Sequence, residues 1–187
     1  MTAADRDRWQ ARWRQRRHTC LEPEPFLVRH IRWLHAGTVL DVACGSGRNA
    51  LFLARLGFAT TGIDIAKIAL VRLAACARAA GLPIATRCAD LDAPEALEGL
   101  GPFDNLVVIR YSPTPAQWQR LLARLRPGGV LLLCSFAPED HFRFGTRPEY
   151  CLWPEQLEPL LAGTRVLVHE RFVQDGRPLV GWVRERA

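Results

Sequence analysis

Hydrophobic positions along this chain fall into two alternating patterns. Short segments at 38–42, 59–63, 84–89, 105–109 and 130–136, rich in apolar and β-branched residues, have the length and composition of strands. Between them, 48–56 and 66–80 carry helical spacing and stop at Gly57 and Gly81, residues suited to the position just past a helix end. A short helix is expected at 93–98. Thr114-Pro-Ala-Gln117 supplies an N-cap, a proline in the first turn and a capping-box glutamine. Trp118, Leu121, Leu122 and Leu125 then recur at i, i+3, i+4 and i+7, one apolar helix face that Pro127-Gly-Gly129 terminates. Pro159 argues against a regular helix over 154–162. Two further runs, 166–173 and 179–183, flank Gln174-Asp-Gly-Arg177, whose Asp-Gly is a hairpin signal. The first 35 residues read as two helices interrupted by Glu22-Pro-Glu-Pro25.

Strands alternating with helices predict a parallel sheet with right-handed crossovers and helices on both faces. Apolar runs without polar alternation agree, since such strands are buried on two sides. The hairpin forces one late strand antiparallel. The expected fold is therefore α/β: a Rossmann-like, doubly wound, mostly parallel seven-stranded sheet with a C-terminal antiparallel hairpin. At 187 residues this is one domain, expected over 36–187, with residues 1–35 as a helical lid.

Charge modifies this picture at one end only. Of the net charge of +6, residues 1–32 hold eight arginines against four acids, so the excess is N-terminal. Such an arm attracts anions, whether small molecules or nucleic acid. Cysteines 20, 44, 76, 88, 134 and 151 include no C-x-x-C pair, and the five histidines form no ligand pair, so free thiols and no metal are expected. Cys44 and Cys134 are expected to pack rather than react. No apolar run reaches membrane-spanning length and the first residues carry no apolar leader core, which predicts a cytoplasmic protein without membrane association.

Candidate chemistry gathers after the first strand. Asp41-Val-Ala-Cys-Gly45-Ser-Gly47-Arg48-Asn49 joins that strand to the first crossover helix. Gly45 and Gly47 permit a backbone path, and a ligand approach, closed to residues with a Cβ. The helix start beyond offers free N–H groups. Asp64 ends the second strand, where a carboxylate can take both hydroxyls of a ribose. Asp90 and Leu91, ending the third, can meet an adenine. S-adenosylmethionine and NAD both fit such a set. Three features favour S-adenosylmethionine: a chain too short for a separate substrate domain, an acid (Asp41) suited to a cationic amino-acid end, and a hairpin where a dinucleotide fold continues parallel.

The stretch Val39-Leu-Asp-Val-Ala-Cys-Gly-Ser-Gly-Arg-Asn-Ala-Leu-Phe-Leu-Ala54 resembles the first motif of class I S-adenosylmethionine-dependent methyltransferases. Gly62-Ile-Asp-Ile65, Cys88-Ala-Asp-Leu-Asp92, Phe103-Asp-Asn-Leu-Val-Val-Ile109 and Arg126-Pro-Gly-Gly-Val130 resemble the later motifs, in order. Within that class the chain is most similar to small bacterial tellurite-resistance and thiopurine-type enzymes. The resemblance implies Asp41, Ala43, Cys44, Gly45, Ser46, Gly47, Arg48 and Asn49 around the methionine end of the cofactor. It implies Asp64 and Ile65 at the ribose, Asp90 and Leu91 at the adenine, and Ile109 and Arg110 near the sulfonium. Ala43 stands where many members have glycine, and Arg110-Tyr-Ser-Pro113 replaces a motif that often ends in histidine.

Methyl transfer from a sulfonium is an in-line displacement that orientation and water exclusion largely accelerate. Arg110 and Tyr111 are the candidates for acceptor contact, and His141 is the candidate base. The expected partner is a small-molecule nucleophile, with a thiol or other chalcogen acceptor considered, and the protein itself is expected to be a monomer or weak dimer. RNA methylation through the basic arm, with Trp9 and Trp13 stacking on bases, is the first alternative. A non-catalytic cofactor-binding module is the second.

Overall fold

The computed structural model describes residues 3–16 and 22–187. Seven strands form one sheet: β1 (Thr38–Val42), β2 (Ala59–Asp64), β3 (Ile84–Cys88), β4 (Phe103–Ile109), β5 (Leu125–Phe136), β6 (Thr164–Gln174) and β7 (Arg177–Arg186). Their order is β3-β2-β1-β4-β5-β7-β6. The first five are parallel, and β7 pairs antiparallel with both β5 and β6. The helices are α1 (Ala3–Gln15), α2 (Pro25–His30), α3 (Arg48–Arg55), α4 (Lys67–Ala79), α5 (Pro115–Ala123), α6 (Pro138–Phe144) and α7 (Pro154–Leu160). This is the Rossmann-like doubly wound sheet that the apolar pattern predicts. Among the described residues no helix is long and apolar enough to cross a membrane.

Strand side chains alternate between two cores. Leu40, Val42, Leu106, Val108, Leu131 and Leu133 pack on one face with Trp118 and Leu121 of α5 and Leu157 of α7. Val39, Val107, Ile109, Val130 and Leu132 pack on the other with Phe26 and Leu27 of α2 and Leu53 of α3. Each such side chain contributes about 1.5–3 kcal/mol when fully buried. Both faces are thus dry, which is why the strands carry no polar alternation. The hairpin turn holds Asp175 and Gly176 at φ +52° and +72°, the left-handed pair an Asp-Gly turn accommodates.

Several elements depart from the sequence pattern. Leu125 belongs to β5, not to the helix face: α5 ends at Ala123, and Leu125 pairs with Phe103 before the register shifts near Pro127-Gly-Gly129. Residues 94–97 form a single 3-10 turn. Helix α7 exists despite Pro159, because the proline lies on the exposed side of its last turn, where only one helical hydrogen bond is forfeited. Helix α6, started by Pro138, has no counterpart in the expected elements. Nor does packing change character at residue 35. Phe26 and Leu27 are fully buried, and the Phe26 ring lies where a Cβ on Gly181 would sit, 2.5 Å from its Cζ. Helix α2 is thus part of the core built around the sheet, whereas α1 lies outside it.

Candidate functional site

At the carboxyl ends of the strands, where the order reverses between β1 and β4, a cleft of about 1070 Å³ opens. Ala43, Cys44, Gly45, Ser46, Arg48 and Asn49 from the loop after β1 line it, with Asp64 and Ile65 after β2, Leu91 after β3, and Ile109, Arg110 and Tyr111 after β4. Gly45 has φ +56°, and a Cβ there would stand 2.6 Å from the Trp13 ring. Gly47, at φ +81°, faces the opposite way: its Cβ would meet Leu73 of α4 at 2.1 Å. A side chain on Gly45 would thus project toward Trp13 at the cleft, whereas one on Gly47 would project into the packing of α4. Ala43 adopts φ +53° without being glycine, a conformation that costs an L-residue roughly 1–2 kcal/mol.

Two carboxylates lie beneath this loop. Asp41, 1% exposed, has an Oδ2 with no hydrogen-bond partner among the described residues. Burial pushes its carboxyl up to about 7, and Asp64 adds to this, against the pull of the Ala50 N–H and Arg48. Asp64 accepts from the Gly45 N–H at 2.8 Å and from the Ala66 N–H at 2.8 Å, so it braces the loop and the start of α4 together. Burial raises its pKa too, against those N–H groups. Two oxygens with about four lone-pair sites still leave it acceptor capacity. The Cys44 thiol is held protonated, its pKa raised by burial and by Asp41.

Glu24, which the sequence pattern does not single out, ties the loop to β4. Fully buried, it receives Arg48 Nη2 at 2.6 Å and Arg110 Nε at 3.1 Å, and its own N–H donates to Asn49 Oδ1 at 2.9 Å. Burial would raise its pKa, but Arg110, Arg48 and Gln174 outweigh burial and hold it below the ordinary glutamate value. Arg48 and Asn49 are thus committed to Glu24 as well as lining the cleft. Arg110, at φ +57°, lays its guanidinium over the Phe136 ring at 4.7 Å. The Tyr111 hydroxyl donates to Gln117 Oε1 at 2.7 Å, and burial raises its pKa, so it stays a neutral donor.

Helix α1 spans the cleft mouth. Trp13 packs on Ala66 and Ala69, and Gln10 Oε1 accepts the Ile68 N–H at 3.1 Å, which ties α1 to α4. On the other side Arg8 Nη2 donates to the Tyr150 hydroxyl at 3.0 Å, and Trp9 meets the Tyr150 ring edge-on at 6.4 Å. Arg12 and Arg16 stack over Trp9 and Trp13. Two further expected residues, Asp90 and His141, are absent from the cleft wall besides Gly47 and the buried Asp41, while Cys134 packs as expected. Asp90 turns its carboxylate to the Asp92 N–H at 2.9 Å. His141 sits on α6, not in a loop, with Nδ1 at 2.7 Å from the Thr146 carbonyl and its ring against Trp153. Cys134 is fully buried in the core, and burial pushes its thiol up to about 12. Cys20 lies outside the described residues.

Known proteins place this arrangement in a class. A family described as "Methyltransferase domain" matches residues 39–129, the segment that carries the glycine loop and β1 to β4. The ubiquinone biosynthesis O-methyltransferase of Caulobacter vibrioides is 34% identical, over 79% of this chain and 66% of its own length. That of Paramagnetospirillum magneticum is 37% identical over 51% of this chain and 39% of its own. The chain thus spans just under two thirds of the Caulobacter relative. Among solved structures, one from a study of the conversion of a disulfide bond into a thioacetal group during echinomycin biosynthesis superposes with a TM-score of 0.78, at 20% identity, over 97% of this chain and 92% of that one. TehB from Haemophilus influenzae gives 0.71 at 17% identity, over 88% and 62%. Loop, strand order and these matches agree: residues 39–129 are a methyltransferase domain, on the doubly wound sheet seen in class I S-adenosylmethionine-dependent methyltransferases. S-adenosylmethionine is the cofactor of that class.

Proposed function

We propose that the cleft binds S-adenosylmethionine along the Gly45 turn and that the protein transfers its methyl group to a small-molecule nucleophile. The observation that carries this is the unpartnered Asp41 Oδ2, buried under a glycine turn that Trp13 roofs. A buried acceptor without a donor costs roughly 1–3 kcal/mol, and a ligand with a cationic amino group supplies the donor. In this reading Asp64 keeps its two backbone partners and accepts the ribose hydroxyls with its remaining lone pairs. Ile65 and Leu91 wall the base, and Ile109 and Arg110 bring the end of β4 to the reacting centre. When bound, the cofactor supplies an electrophilic methyl on sulfur.

The chain's own work is then to orient and to exclude water. Trp9 and Trp13 of α1 line the cleft, which supports a lid role for α1. Tyr111, locked on Gln117, forms a fixed wall. The name carried by the curated relatives points to an oxygen acceptor, and the thiol or other chalcogen expected from the sequence is the other candidate. RNA is disfavoured by α1: Arg12 and Arg16 already cover the rings of Trp9 and Trp13 that would stack on bases.

Tritiated-methyl transfer from S-adenosylmethionine into a bacterial extract, separated into RNA, protein and small molecules, tests the proposal. Label in the small-molecule fraction is expected. Label in RNA alone would overturn the acceptor class, and no label in any fraction would overturn the enzymatic reading.

A further inference from the structure

Opposite the glycine loop, the end of β5 and the start of β7 build a second arrangement. Arg177 lays its guanidinium over Phe136 at 4.9 Å, the same ring that Arg110 covers at 4.7 Å. Behind each guanidinium stands a fully buried carboxylate. Glu24 holds Arg110, and Asp140 takes Arg177 Nε at 2.7 Å and Nη2 at 2.5 Å. Thr146 completes the second brace by bonding to both Asp140 and Arg177. Both arginines are therefore fixed through Nε and Nη2. Among the described residues nothing engages Nη1 of either, and both line the cleft.

The charges here do not cancel. Glu24 is shared by Arg48 and Arg110 while Asp140 serves Arg177, so two buried carboxylates face three guanidiniums. The other charged groups around the cleft are Arg8, Arg12, Arg16 and Asp5 from α1, Arg72 from α4, Asp64, Arg147 and Glu149 before Tyr150, and Asp175 in the hairpin. Arg8 is paired with Asp5 and Arg147 with Glu149. His141, the candidate base, is off the cleft wall, Tyr111 is locked on Gln117, and Asp64 already serves two backbone donors.

Resting on the methyltransferase reading, we infer that Arg110 and Arg177 form a clamp for the acceptor as an anion, an acidic hydroxyl or thiol that loses its proton to water before transfer. The anionic oxygen or sulfur then forms its bond to the methyl carbon as the methyl–sulfonium bond breaks, and that bond's electron pair stays on the cofactor sulfur. No general base is needed, because fixed guanidiniums favour the ionised acceptor in a partly dry site.

The test uses the full chain saturated with S-adenosylhomocysteine, with 4-nitrophenol and 4-nitrothiophenol as probes whose ionisation is read by visible absorbance. At least one bound probe should have an apparent pKa about one unit or more below its free value. Which probe responds distinguishes an oxygen from a sulfur acceptor. Arg177→Gln alone strands Asp140, so it is paired with Asp140→Asn. The double variant should lose the shift and bind the probe at least tenfold more weakly, while calorimetry shows S-adenosylhomocysteine affinity unchanged. Unshifted ionisation in the wild type, failure of both probes to bind, or a shift that survives in the double variant would overturn the clamp. Failure of the wild type to bind S-adenosylhomocysteine would instead overturn the methyltransferase reading on which the clamp rests.

Discussion

Asp41 makes the sharpest demand on a ligand. Its carboxyl is pushed up to about 7 by burial, from an ordinary 3.8. The unliganded fold therefore keeps a proton that the unfolded chain releases. That contribution to stability is full at acid pH, below the unfolded value, and is lost as pH rises through about 7. A cationic amino group bound at Oδ2 takes the proton's place, so cofactor affinity should rise with pH by up to about tenfold per unit below about 7 and then level. Calorimetric titration with S-adenosylhomocysteine across that range checks it. A flat wild-type profile, or the same slope in Asp41→Asn, contradicts the assignment. The position of Asp41 at the end of an apolar run before a glycine turn was legible in the sequence. Glu24, Asp140 and Arg177 were not, because their partners stand far off in sequence: Glu24 meets Arg110 86 residues away, and Arg177 meets Asp140 37 residues away.

Elements were legible where the core dictates them. Strands β1 and β4 and residues 130–135 of β5 are buried on both faces and are largely apolar, whereas the edge strand β3 has no buried residue; the α5 capping box appears as expected, with Thr114 Oγ1 accepting the Gln117 N–H. Leu125 misled because its apolar side chain suits a helix face and a strand equally, and only pairing with Phe103 decides between them. Helix α6 was missed because its seven residues carry little apolar periodicity; of them only Asp140 is buried. Helix α1 was legible as aromatic and basic, whereas the division between it and the core-forming α2 was not. Phe26 and Leu27 are integral to the fold, while α1 packs on α4, the Gly45 turn and the Tyr150 turn. Deleting residues 1–20 should therefore leave a folded domain with little change in Tm and at least a roughly tenfold loss of turnover, equal to about 1.4 kcal/mol of barrier. Thermal unfolding and initial rates together check this. Unfolding would make α1 part of the core, and full activity would make it dispensable.

At the scale of the molecule, the sheet reverses between β1 and β4, and everything chemical gathers at that end. Cofactor candidates stand on the β1–β2–β3 side, and acceptor candidates on the β4–β5–β7 side. The two halves meet through Glu24, which bonds Arg48 of the glycine loop and Arg110 of β4 with one carboxylate. The central claim is that the Gly45 turn is the S-adenosylmethionine site. It is tested most directly by calorimetry of the wild type and Gly45→Val with S-adenosylhomocysteine, with NAD as the competing dinucleotide. A valine Cβ would begin 2.6 Å from Trp13 at φ +56°, so the branched side chain must fill the approach and strain the turn. The account predicts saturable binding of S-adenosylhomocysteine to the wild type, none to a folded Gly45→Val, and no heat from NAD. Equal affinity in the variant, or competition by NAD, would contradict it.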